Sequence, residues 1–260
     1  MTTNRIGDVH ITRDGHVATV TISRPPNNSV SVDLMRDLAD ALHMLDKEPE
    51  MRAVVLATEG KVFCAGADLS GRANEVGLDS PTSNPLYDQA VRLHSTELPI
   101  VAAVQGAAVG AGLGLALIAD FRIATPEARF TANFTKLGFH PGFGLTHTLP
   151  RLVGKQQAAL MFLTARRLKA EEAHAIGLVD QVVAADALLP AAHHLAAEIA
   201  ENAPLAVRST RKTLREGLSA SVKAQTDHEF IEQQWLMKTE DFREGIKSVA
   251  ERRPGNFKGR

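Results

Sequence analysis

Two short segments rich in glycine and alanine have residue types and spacing that could do chemistry. They are Phe63-Cys64-Ala65-Gly66-Ala67-Asp68-Leu69 and Gln105-Gly106-Ala107-Ala108-Val109-Gly110-Ala111-Gly112-Leu113-Gly114. Each follows an apolar run that reads as a strand, and the second opens a helix. Residues this small let a ligand approach the backbone closely. Amides at a helix start point outward and carry partial positive charge. One amide from each turn could hold a single carbonyl oxygen as negative charge develops on it, the arrangement of an oxyanion hole. Taken singly, either segment reads equally well as small residues that permit tight packing. The second is not a dinucleotide fingerprint, because its glycines fall at 106, 110, 112 and 114 and no GxGxxG can be drawn. It also lacks the GK[ST] of a P-loop.

Other reactive side chains are scattered. His140 lies in Gly138-Phe139-His140-Pro141-Gly142, and histidine is the residue type that exchanges protons near neutral pH. Its competing and favoured reading is a ring hydrogen-bonded to backbone in a tight turn, since most lone histidines are not catalytic. Asp68 reads as a turn residue bonding nearby amides, and Asp120 as a structural acid at a strand start. Cys64, the single cysteine, reads as buried packing, with no histidine beside it in sequence. His147 and the pair His193-His194 receive no role.

Together the two turns resemble those of the enoyl-CoA hydratase/isomerase (crotonase) superfamily. The resemblance begins at Arg24-Pro25 with Asn28. It continues through Cys64–Leu69, the glycine turn with Leu115-Ala116-Leu117 and Asp120, Leu137-Gly138 with Pro141-Gly142 and Gly144, Leu152-Val153-Gly154-Lys155, and Ala173 with Gly177-Leu178-Val179. It ends at Arg252-Arg253-Pro254-Gly255-Asn256-Phe257. It implies an α/β fold, a spiral of ββα units with a helical C-terminal region that builds homotrimers or hexamers. It implies a CoA thioester as ligand and no metal or redox cofactor. The family's oxyanion amides fall on Ala67 and Ala111. The backbone of Ala65, Asp68 and Leu69 lies where the family meets CoA, Ser70 stands where many members carry a phosphate-binding lysine, and Arg252 stands where a C-terminal lysine reaches CoA in some. Tyr87, the sole tyrosine, falls near a pocket histidine of the dehalogenase branch, with His94 a weaker candidate.

The same resemblance exposes a departure. A hydratase needs one carboxylate to activate water and another to protonate the α-carbon. Their positions fall on Gly114 and Phe134, with no acid at 113, 115, 133 or 135. A third acidic position, used in other branches, falls on Gly142. A phenyl ring at 134 makes the acyl pocket more apolar. The expectation is an acyl-CoA enzyme that stabilises an enolate in the oxyanion hole but hydrates poorly. The alternative is a catalytically silent acyl-CoA-binding or regulatory protein.

The elements that must position these residues read as follows. Val9–Ile11 and Val17–Ile22 alternate around Asp14-Gly15, a hairpin signal. Ser31 can cap a helix to about Leu45. Ala53–Ala57, Ile100–Val104 and Phe121–Ala124 read as strands, separated by helical patterns at 87–95 and from the glycine turn to about Ile118, an α/β order. Residues 71–85 read as a polar surface loop. Helical patterns dominate after Pro150, at Lys155–Leu163, Ala170–Ile176, Asp186–Glu201, Pro204–Leu214 and Val222–Met237. The division expected is a core of residues 1–195 and a helical region of 196–260. Formal net charge is -1, from 29 basic and 30 acidic residues, so neither nucleic acid nor an anionic membrane is an expected partner. One cysteine excludes an intrachain disulfide and fits the cytoplasm. The apolar stretch 100–118 holds four glycines and Gln105, which reads as strand, turn and buried helix rather than a membrane span.

Overall fold

The computed structural model describes residues 3–67 and 83–260. The polar loop expected at 71–85 lies almost entirely outside them, as do Asp68, Leu69 and Ser70.

Strands β1 (Thr3–Ile6), β2 (Val9–Asp14) and β3 (Val17–Ile22) form an antiparallel meander. From β3 the sheet turns parallel through β4 (Ala53–Thr58), β5 (Ile100–Val104), β7 (Phe121–Ala124) and β10 (Gln181–Val182), in the order β1-β2-β3-β4-β5-β7-β10. β4 and β5 are unbroken apolar runs because both faces are covered. One face, with Val20, Val54, Leu56, Ala102 and Val104, packs in the main core with α1 (Val32–Asp46), α2 (Pro85–His94) and α3 (Ala111–Leu117). The other, with Val55, Ala57, Val101 and Ala103, meets α6 (Leu188–Ala200) through Leu188, Ala192, Ala196 and Ala200. Alanines four residues apart let that helix lie close to the sheet. The expected Ser31 cap of α1 forms, its Oγ accepting the Leu34 amide at 3.2 Å.

A second, three-stranded sheet carries the site. β6 (Ala107–Val109) pairs parallel with β8 (Arg129–Thr131), which pairs antiparallel with β9 (Leu168–Lys169). Helix α4 (Leu145–Thr164) breaks at Gly154, so the pattern expected at Lys155–Leu163 is its second half. Short α5 (Ala170–Ala175) follows. The division expected at residue 195 falls inside α6, a helix that still packs on the sheet; the helical region beyond the sheet begins after Ala200. It consists of α7 (Pro204–Leu214), α8 (Leu218–Leu236) and α9 (Glu240–Ala250). α8 packs on α2 and α4. α7 is tied to the sheet by Asp120, whose carboxylate lies 2.8 Å from Arg211 and 2.9 Å from Arg215 and accepts the Ile100 amide. Burial opposes ionisation of Asp120, but the two guanidiniums outweigh it and hold its pKa below the ordinary value. That is the structural role expected of it. Among the described residues, no helix is long and apolar enough to cross a membrane.

Candidate active site

Residues 63–67 are stitched to β6. The Cys64 amide donates to the Ala107 carbonyl at 2.9 Å, and the Val109 amide donates to the Cys64 carbonyl at 3.0 Å. On the other side Val30 donates to Gly66 at 3.0 Å. Buried Asn28 anchors the approach, its Nδ2 donating to the Glu59 and Val62 carbonyls, each at 2.8 Å. Gly66 has φ +88°, and a Cβ there would lie 2.6 Å from the Val109 carbonyl, so the two turns touch only because it is glycine. The packing reading of the small residues is therefore correct, and it is also what sets the two turns side by side. Ala67 and Ala111 line one cavity of about 280 Å³, and neither backbone amide donates to a described residue.

That cavity is apolar and aromatic. Phe134, Phe139 and Phe143 line it, with Leu86, Leu137, Val109 and, from α9, Ile246, Val249 and Ala250. Phe134 meets Phe139 edge-on at 5.5 Å, and Phe139 meets Phe242 of α9 at 5.4 Å. Its polar side chains are Asn84, Tyr87, Asn133 and Gln233. Among the described lining residues there is no carboxylate, imidazole, lysine or arginine.

Each position where the resemblance places an acid is filled. A Cβ on Gly114 would stand 2.5 Å from Cδ1 of Phe143, so a phenyl ring occupies that space. Phe134 supplies its own ring. A Cβ on Gly142 would collide with the Tyr87 hydroxyl. Tyr87 donates to Gln233 Oε1 at 2.7 Å. Burial, with Glu229 nearby, pushes the phenol well above its ordinary value.

Phe143 sits at φ +64°, a backbone conformation that a bulky side chain rarely adopts. Glu229 of α8, fully buried, holds that corner. Its Oε2 accepts the Gly144 amide at 2.7 Å, and its Oε1 accepts the amide and hydroxyl of Thr146. Burial raises Glu229 from 4.5 to about 7, against the pull of those bonds.

His140 does not line the cavity. Its Nδ1 lies 2.8 Å from the Pro141 carbonyl, and its ring meets the exposed His228 edge-on at 5.9 Å. Only its carbonyl reaches the site, accepting Gln233 Nε2 at 2.8 Å. This is the backbone-bonded ring in a turn. Ala65 lines the cavity, and Arg252 is exposed two residues beyond Ala250. Asp68 and Leu69 lie outside the described residues. Cys64 is buried, and burial pushes its thiol up to about 12. His94 is buried away from this cavity. Burial and then Arg215 and Arg211 press it down to about 3, so it is uncharged at neutral pH. The sequence reading passed over Asn84, Phe143, Glu229, Gln233 and all of α9. For α9 a signal was present, since Thr239 precedes Glu240 and Asp241 and caps the Phe242 amide at 3.1 Å. For Glu229 there was none.

Comparison with known proteins agrees with this architecture. The family model described as enoyl-CoA hydratase/isomerase matches residues 12–260. The chain is 33% identical over 253 residues to the crotonyl-CoA hydratase of Syntrophomonas wolfei, covering 96% of this chain and 97% of that one. It is 32% identical over 256 residues to the 2,3-dehydroadipyl-CoA hydratase of Escherichia coli, covering 98% and 100%. The crystal structure of an enoyl-CoA hydratase/isomerase from Pseudoalteromonas atlantica superposes with a TM-score of 0.86 at 30% identity, covering 96% of this chain and all of that one. A family match spanning both glycine turns and the helical end, together with the same fold in a solved relative, settles the grouping: this chain belongs to the enoyl-CoA hydratase/isomerase family.

Proposed function

We propose that the protein binds a CoA thioester with a bulky, largely apolar acyl group. The Ala67 and Ala111 amides receive the thioester oxygen as it gains charge, and ordinary hydration is not its reaction. The observation that carries this reading is the pairing of two amides that donate to no described residue with a cavity whose acid positions are filled by Phe143, Phe134 and the Tyr87 hydroxyl. The names of the relatives differ in acyl group, crotonyl in one and 2,3-dehydroadipyl in the other, so they do not fix the acyl group here.

The chemistry that suits such a site makes an enolate without a protein base. When a C–C bond next to the α-carbon breaks, as in loss of CO₂ from a β-carboxylate, the bonding pair flows into the thioester and the oxygen takes the charge. A proton from water then restores the α-carbon. Tyr87 is the only ionisable side chain lining the cavity among the described residues. With its pKa raised it stays protonated, so it does not serve as a base at neutral pH.

A second reading is a silent acyl-CoA-binding protein, favoured by the Tyr87 proton already being engaged by Gln233 and by His140 lying outside the cavity. A panel of CoA thioesters, scored for binding and turnover by mass spectrometry, separates the two. Binding with turnover of a β-oxygenated member supports the enzyme, and binding alone supports the silent protein. No binding by any member would sink both. Crotonyl-CoA hydration is expected to be slower than in a standard member by several orders of magnitude. One acid–base group is worth ~10²–10⁴ in rate, and two are absent. Turnover of roughly 1–10³ per second would refute that expectation.

A further inference from the structure

Asn84 is the residue just before α2 and forms part of the cavity wall; 3% of its surface is exposed. Its Oδ1 accepts the Leu86 amide at 2.9 Å. That bond fixes which end of the carboxamide is which, because a turned amide would set two donors against each other. Nδ2 is thus the end left over, and it is buried with no hydrogen-bond partner among the described residues. A buried donor without an acceptor carries its full desolvation cost. Capping does not require that cost, since serine, threonine or aspartate caps a helix equally well without bringing a spare N–H.

The other polar side chains of the cavity do not relieve it. Tyr87 and Gln233 are bonded to each other, and Gln233 spends its Nε2 on the His140 carbonyl. Asn133 is half-buried, its Oδ1 3.3 Å from where a side chain on Gly110 would begin. No side-chain partner of Asn133 exists among the described residues, so its carboxamide can turn either way. Among the described side chains of the wall, the Asn84 Nδ2 and the Asn133 carboxamide are therefore the polar groups without a partner.

We infer that Asn84 recognises an oxygen on the acyl chain, so that the ligand class is a CoA thioester whose largely apolar acyl group carries a hydrogen-bond acceptor: a carbonyl, hydroxyl or carboxylate oxygen. The inference rests on the acyl-CoA reading above and narrows it. It also fits base-free C–C cleavage, whose substrates carry such an oxygen.

The test is calorimetry on the full chain with hexanoyl-CoA, 3-oxohexanoyl-CoA, 3-hydroxyhexanoyl-CoA and adipoyl-CoA, acyl groups of equal length. At least one oxygenated member should bind about tenfold more tightly than hexanoyl-CoA, the scale of one hydrogen bond in an apolar site. Asn84→Ser keeps a capping oxygen and removes Nδ2. Asn84→Asp keeps the cap and puts an acceptor where the donor stood. In Asn84→Ser the ratio should fall to about one for every oxygenated member, and in Asn84→Asp for the 3-oxo and adipoyl thioesters, whose oxygens have no proton to donate to the new carboxylate. A purely structural Asn84 would leave the ratio unmoved. Equal affinities in the parent, or an unchanged ratio where a fall is expected in either folded variant, would overturn the inference while the acyl-CoA reading stands. No binding of any of the four thioesters would overturn both.

Discussion

At position 114 the missing side chain is occupied space, because the Phe143 ring lies where a Cβ would go. Gly114→Ala should therefore lower stability by about 1–3 kcal/mol, read from urea denaturation, and adding Phe143→Leu should recover part of that. For the same reason Gly114→Glu with Phe134→Glu is expected to yield a poor hydratase. A folded double variant that consumes enoyl-CoA absorbance briskly would show that the pocket still suits hydration. Glu229 gives a pH signature. Its folded-state value is raised by burial, from 4.5 to about 7. Its contribution is therefore fully present below about pH 4.5 and is lost as pH rises through about 7. Compared with Glu229→Gln, which carries no charge at any pH, the parent should lose roughly 3 kcal/mol across that window. Denaturation of both proteins at several pH values measures the difference. Parallel curves would mean that the carboxylate is as well accommodated as the acid.

Helix α9 closes the cavity, and its fit depends on absent side chains. A Cβ on Gly245 would strike the Leu137 backbone, and one on Gly138 would stand 2.6 Å from the Asp241 carbonyl. Gly245→Val should push α9 outward and weaken thioester binding by tenfold or more, while far-UV circular dichroism stays that of the parent. Unchanged affinity would place the ligand elsewhere. The element scale also separates what sequence could reveal from what it could not. β4 and β5 were legible because burial on both faces writes an unbroken apolar run, and α1 because Ser31 and its leucines mark its start and its face. β9 and β10 have two residues each, too few for any period. Gln233 and Glu229 look like polar residues on a surface helix until α2 and α4 cover them. The two turns were legible as a pair, but the groups that fill the acid positions were not. Phe143 and Tyr87 reach Gly114 and Gly142 only through the tertiary fold.

Across the whole molecule, the helical region presents Leu205, Leu214, Ile231 and Trp235 to solvent, each more than half exposed. Leu163 of α4 is equally exposed, and large exposed apolar side chains of this kind are candidates for burial on association. The trimer or hexamer implied by the resemblance would bury them. Light scattering at micromolar concentration should give a mass three or six times 28.0 kDa, and Trp235→Glu should shift it downward. A monomeric parent would contradict the expectation.

The contact between Gly114 and Phe143 also constrains how this sequence can change. A carboxylate at 114 placed first meets the ring and overpacks the core. Shrinking Phe143 first leaves a hole whose cost is about 3–5 kcal/mol for a buried phenylalanine. Either order passes through a protein less stable than both end points, so the two sites form a ratchet. An acid at 114 is therefore expected to be well accommodated only together with a smaller residue at 143, so that change takes two coordinated substitutions rather than one.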